Sequence, residues 1–228
     1  MSSQKRIAIV IIWMLVTTLG GTIGLTLGST AGEQVGFPVG YQVEEFMQGV
    51  IPSLPSEFLP SMIAGLFYGS VMGLILGFLQ WLFVLRTLKG GSILWIVLNL
   101  AGMGLVFLLN SGVFMFLISL GLDSFMLYFI SACMSGPTNG AMLGVLHWLY
   151  FRRMHNMAFW WLVFDLSAWI TLDLLFLFFS FFAPLDLPIV EIITNGVNSF
   201  LLSVFTGAAL YLTIPESKES REWITSEG

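Results

Sequence analysis

The stretch Gly65-Leu66-Phe67-Tyr68-Gly69-Ser70-Val71-Met72-Gly73-Leu74-Ile75-Leu76-Gly77-Phe78-Leu79-Gln80-Trp81-Leu82-Phe83-Val84-Leu85-Arg86 decides the fold. Its four glycines stand four residues apart, and residues at that spacing stack on one face of a helix. Almost everything between them is apolar. The stretch reads as a membrane-spanning helix with a bare groove down one side, aromatic residues near one end and a positive charge beyond them.

Composition points the same way. Of 228 residues, 57% are apolar and 9% charged, against roughly 25% charged in an average soluble domain. So few charges cannot cover a soluble surface, so the chain reads as one all-α membrane domain, 1–228. A net charge of −5 with no basic run excludes nucleic acid as a partner. The lone Cys133 sits in an apolar run and reads as a small buried hydrophobe, with no internal disulfide open to it. The first apolar run is too long for a removable signal peptide and lacks a small-residue cleavage site, so a retained helix is expected.

About 20 apolar residues cross a bilayer. Six segments qualify, near 7–29, 60–86, 92–119, 123–151, 157–182 and 188–214. With six spans every basic residue falls on one side: Lys5, Arg6, Arg86, Lys89, Arg152, Arg153, Lys218 and Arg221. Glu33, Glu44, Glu45, Glu57, Asp123, Asp186 and Glu191 fall on the other. Five or seven spans would scatter them. The positive-inside rule then places both termini in the cytoplasm, with the basic residues anchored on lipid headgroups. Residues 30–59 are expected to form a long outer loop. Within it Val43 to Ile51 suits an ordered cap or a short interfacial helix with Phe46, Val50 and Ile51 against lipid. Residues 215–228 form a polar cytoplasmic tail.

A shift of 67 residues lays segment 2 on segment 4. Gly69, Gly73 and Gly77 fall on Gly136, Gly140 and Gly144; Gln80-Trp81-Leu82 falls on His147-Trp148-Leu149, and Arg86 on Arg153. Segment 6 carries a worn copy, Ser199, Ser203 and Gly207. In the odd segments Trp13, Trp95 and Trp161 are followed at +4 by Thr17, Asn99 and Asp165, and at +7 by Gly20, Gly102 and Ala168. The chain therefore reads as three repeated helical hairpins, approximately 7–89, 90–155 and 156–214. Lipid gives no hydrophobic drive for helices to associate, whereas small-xxx-small faces let backbones touch. The expected arrangement puts segments 2, 4 and 6 at the centre of a pseudo-threefold axis, packed through these faces and Gly65, with 1, 3 and 5 outside. The alternative is that each face grips its hairpin partner or another subunit. A centre closed by backbone contact argues against a wide pore.

Asp165 lies about nine residues into segment 5, ~14 Å deep at helical rise. A charge there costs about 2.5–3.5 kcal/mol on insertion scales, so it must be neutral, paired or wet. It reads either as part of a proton- or cation-handling face with Trp169 and Asp173, or as a carboxyl bonded to Asn99, Thr17 or His147 that fixes helix register. His147 has Gly144 three residues before it, leaving expected space for a flat macrocycle such as a chlorophyll, with Gln80 in the matching place of repeat one; the purely structural reading is a bonded interface histidine. Ser135-Gly136-Pro137-Thr138-Asn139-Gly140 interrupts segment 4 at mid-membrane. Carbonyls freed by proline, with Thr138 and Asn139, suit a ligand, as in broken transporter helices, unless neighbours satisfy the kink. Asn110, Asn195 and Asn198 join this polar set toward the outer half. His155 reads as solvated.

No metal-ligand spacing appears. There is no G-x-S-x-G, no H-E-x-x-H and no phosphate-binding glycine loop. Asp165 and Asp173 lie about 12 Å apart along one helix and cannot form a carboxylate dyad. No catalytic residue is assigned and an enzyme is not expected.

Gly73-x3-Gly77-x2-Gln80-Trp81-Leu82-x3-Arg86, followed by Trp95, resembles a loose group of small multi-pass proteins of cyanobacteria and related bacteria with repeated G-x-x-Q-W-L-x-L-R segments. His147 replaces the usual Gln in the second copy. The resemblance implies an accessory subunit of an inner (cytoplasmic) or photosynthetic membrane and supplies no site residues. Function is expected to be that of a non-enzymatic scaffold packed with other membrane protein subunits and touching lipid or pigment. The alternatives are a small-solute or proton-coupled transporter or binding protein using Asp165, Asn99, Thr138, Asn139 and Asp173, and a pigment-binding subunit using His147 and Gln80.

Overall fold

Long apolar runs satisfy their backbone only as helices, and helices are what form. A computed structural model describes residues 2–51, 55–88, 91–153, 156–182 and 188–214. The helices are α1 (Ser3–Ala31), α2 (Phe37–Gln48), α3 (Phe58–Phe83), α4 (Leu94–Ser119), α5 (Ser124–Phe151), α6 (Phe159–Phe182) and α7 (Pro188–Thr213). Five helical stretches are long and apolar enough to cross a membrane, with α1 and α2 forming one of them. The remaining long helix, α5, has 28 residues and is diluted by its Ser-Gly-Pro-Thr-Asn run. The expected tail, 215–228, lies outside the described residues, as do Lys89, His155, Asp186 and the side chain of Glu191.

The expected loop at 30–59 is corrected. A π-helical turn at Gly32–Gly36 joins α1 to α2, giving one helical run of 46 residues, about 69 Å long at helical rise. The cause is a second glycine stripe: Gly20, Gly24, Gly28, Gly32, Gly36 and Gly40. It lies along α3, meeting Leu76, Met72, Tyr68, Ala64 and Pro60 in turn. A four-residue repeat overshoots a full α-helical turn by about 40° each step. The π turn uses more residues per revolution and winds the stripe back onto α3. Within it the Phe37 N–H donates to the Gly32 carbonyl, five residues back. Beyond Gly40, the buried Glu44 accepts a hydrogen bond from the Glu57 backbone N–H (3.0 Å), tying α2 to the start of α3. Phe46 and Val50 point outward, as a lipid-facing pair would.

Six helices close into a ring in the order α1, α3, α4, α5, α6, α7 and back to α1. The expected centre is therefore wrong. The faces of α3, α5 and α7 do not meet on an axis; each lies on the next helix round the ring. Gly65, Gly69 and Gly73 rest on the backbone carbonyls of Phe107, Met103 and Asn99 in α4. Gly136, Gly140 and Gly144 rest on Ile170, Leu166 and Leu162 in α6. Ser199, Ser203 and Gly207 meet Gly21, Thr18 and Met14 in α1. A bare stripe is filled by one backbone lying along it, and each step of four is answered by a step of four back along the partner.

Side chains from the other three helices fill the middle of the ring at one end. Trp13, Trp95 and Trp161, all fully buried, form a triangle with ring centroids 5.9, 5.7 and 6.0 Å apart. Phe151 stacks on Trp161 at 4.5 Å and 5°. Val84, Leu85 and Leu210 complete this plug. It sits at the basic end of the ring, beside Arg6, whose guanidinium donates to the Tyr211 carbonyl (2.7 Å).

Candidate functional site: a polar layer beneath an open chamber

One turn from the tryptophans, Thr17, Asn99 and Asp165 are each almost wholly buried. Gln80 reaches in from α3, donating to Thr17 Oγ1 (2.9 Å) and accepting from Trp95 Nε1 (2.9 Å). Asn99 donates to the Trp95 carbonyl (3.0 Å). His147 Nδ1 lies 2.7 Å from Asp165 Oδ2, so the deep carboxylate takes the one partner among its three candidates that can carry a charge. Trp13 Nε1 donates to Thr206 Oγ1 (3.1 Å). The indole N–H of Trp161 and the Nε2 of His147 have no partner among the described residues.

These groups surround a void of about 10 Å³, near the least that holds one water. The His147 ring lies against Trp95 (centroids 4.6 Å, 30°) and meets Trp161 edge-on (5.5 Å). The space expected beside Gly144 is filled by Leu162, whose Cα would stand 2.8 Å from a Cβ added there. Neither His147 nor Gln80 has room for a macrocycle.

Above this layer the ring is hollow. A chamber of about 860 Å³ lies between the six helices. It opens toward the acidic end, where Glu33, Phe37 and Ser61 line it, and its floor includes Met72, Trp169 and Leu202. Trp169 and Leu202 also line the small void, so a single layer of side chains separates the two. Glycines bring α1 onto α3, α3 onto α4, α5 onto α6 and α7 onto α1. The α4–α5 and α6–α7 contacts are sparser. The tryptophan plug, not a central backbone contact, closes the ring at the basic end and leaves a cavity above it.

The structure sorts the sequence-predicted residues. Asn139 and Asp173 line the chamber together with Asn110, Asn195 and Asn198. Ser135 Oγ donates to Asp173 Oδ2. Asp165 and Asn99 belong to the layer below. Thr138 is corrected: it is exposed on the outside of the ring with Pro137. Cys133, expected buried, is exposed on that outer face as well. α5 runs unbroken through Pro137, so no unwound segment offers carbonyls inward. What the sequence reading missed is Ser131, which continues Ser135 and Asn139 as a stripe on the inner side of α5. Its spacing of four was the available signal, hidden beside the louder glycine stripe. Among the described residues no group of three metal-ligating side chains forms.

Comparison with protein-family models, with curated proteins and with solved structures finds no match to this chain.

Proposed function

We propose that the protein is a six-span membrane protein that receives a small solute from the outer side, as a binding protein or carrier resting in its outward-facing form. The chamber carries this reading: about 860 Å³ falls in the range of roughly 300–1,000 Å³ typical of ligand sites. Its lining is mainly apolar with a few convergent polar groups, as such sites are. Polar atoms of Asn139, Asn198, Ser199 and Trp169 find no partner among the described residues. A polar group buried without one costs about 1–3 kcal/mol, which a solute or water within the chamber would offset. The tryptophan plug then serves as the inner gate. Arg86, Arg152 and Arg153 set that end in the cytoplasm, so α5 spans as the fourth of six.

The test is accessibility. Ser131→Cys in a Cys133→Ala background should react with a membrane-impermeant thiol reagent added outside intact cells, and a matched Leu143→Cys, buried in the closed layer, should not. Silence at Ser131→Cys while Glu57→Cys reacts would defeat the reading of an outward chamber.

A second reading, an accessory subunit within a larger assembly, is favoured by the outer face of α5. Cys133, Pro137 and Thr138 are exposed there, and Pro137 brings no N–H to the Cys133 carbonyl one turn back. Lipid leaves such a carbonyl unsatisfied, whereas a neighbouring helix could serve it. A stoichiometric partner crosslinking to Cys133 in native membranes would support this role beside the first.

A further inference from the structure

We infer that the chamber's ligand is an organic cation with a bulky apolar body, its positive group held against Asp173 and its body against the aromatic wall. The inference rests on the chamber being a ligand site and adds the class of ligand.

Charge is the first argument. Among the described residues, Asp173 in the wall and Glu33 at the mouth line the chamber, and no Lys, Arg or His does. Asp173 receives a hydrogen bond from Ser135, but a hydroxyl does not neutralise a carboxylate set among membrane-spanning helices. An anion entering would meet that carboxylate and find no cation to pair with. A ligand bearing an ammonium or another cationic centre supplies the missing charge.

The second argument is the supply of acceptors. Asn139 is 2% exposed, lines the chamber, and leaves its side-chain carbonyl oxygen without a donor. Asn198 does the same from α7. With Asp173 these oxygens project from three helices, a set suited to a donor-bearing ligand.

The aromatic wall supplies the third. Phe107 stands edge-on to Tyr68 (4.5 Å) and to Trp169 (6.4 Å), and Phe114 packs with Tyr128 (6.1 Å). All of them line the chamber. Aromatic faces attract cations where water is excluded. The volume is far more than a bare metal ion fills, and the carboxylates are too few for one. The same chemistry could arrive as a free organic cation or as the ammonium headgroup of a lipid.

The test compares two ions of the same shape and opposite charge. The full-length protein, purified in dodecyl maltoside, is titrated with tetraphenylphosphonium and with tetraphenylborate. Saturable binding of the cation, at least about tenfold tighter than of the anion, is expected. Asp173→Asn should weaken cation binding by at least about tenfold, and Asp173→Glu should restore most of it. Thermal melting of each variant guards against misfolding. If added phosphatidylcholine competes with the cation and phosphatidylglycerol does not, a lipid headgroup is the source; if neither competes, a free solute is. Equal binding of the two ions, or wild-type affinity in a stably folded Asp173→Asn, overturns the inference. If neither ion binds while Ser131→Cys is still labelled from outside, the ligand class is wrong and the chamber stands; if that cysteine is also silent, both fall.

Discussion

At the scale of single residues, the three tryptophans at the basic end occupy equivalent places but are not equivalent bonds. Trp95 donates to Gln80 and Trp13 to Thr206, while Trp161 donates to no described residue. Replacing Trp95 by Phe leaves the Gln80 carbonyl oxygen buried without a donor, at about 1–3 kcal/mol; replacing Trp161 by Phe removes the same volume and no bond. Trp95→Phe is therefore expected to melt several degrees below Trp161→Phe in detergent, since about 1 kcal/mol moves a protein of this size by about 2–4 °C. Equal melting temperatures would show that the Gln80 bond contributes nothing. Much of this layer was legible in the sequence. The shared offset of four from each tryptophan picked out Thr17, Asn99 and Asp165, and His147 was among the partners named for Asp165. Which partner wins was not legible, because it depends on α5 and α6 being ring neighbours. The space expected beside Gly144 was misread for the same reason: an empty place beside a glycine in one helix is filled by whichever backbone lies there.

At the scale of helices, a glycine matters by what it touches. A Cβ on Gly73 would strike the Asn99 backbone, which cannot rotate away, whereas one on Gly207 would meet the flexible side chain of Met14, 2.9 Å away. Gly73→Ala is expected to destabilise by about 2 kcal/mol or more and Gly207→Ala by less than about 1 kcal/mol. Thermal stability by size-exclusion recovery after heating checks this. Comparable losses at both positions would mean that the α3–α4 backbones are not in contact. The stripes themselves were plain in the sequence, and so was the worn third copy. Their targets were not, since a bare face does not say which backbone will cover it. The longest helical run escaped for a different reason. Pro38, Glu33 and the glycines between 28 and 40 have the composition of a loop, yet their spacing of four continues the α1 stripe. Here close packing on α3 overrides weak helix propensity.

At the scale of the whole molecule, the helices form a ring whose two halves differ. Large aromatic side chains fill the axis at the basic end, and smaller serines and asparagines leave it open at the other. The long apolar helices were legible in the sequence; the chamber was not, because a cavity is a property of distances between helices rather than of any one of them. The central claim is that each small-residue face lies on the next helix round the ring, and that α7 on α1 closes it. Thr18 Oγ1 and Ser203 Oγ stand 3.1 Å apart across that closure. The most direct measurement is oxidative crosslinking of Thr18→Cys with Ser203→Cys, in a Cys133→Ala background in native membranes. Efficient intramolecular crosslinking is predicted. No crosslinking in protein that is folded and inserted would contradict the ring.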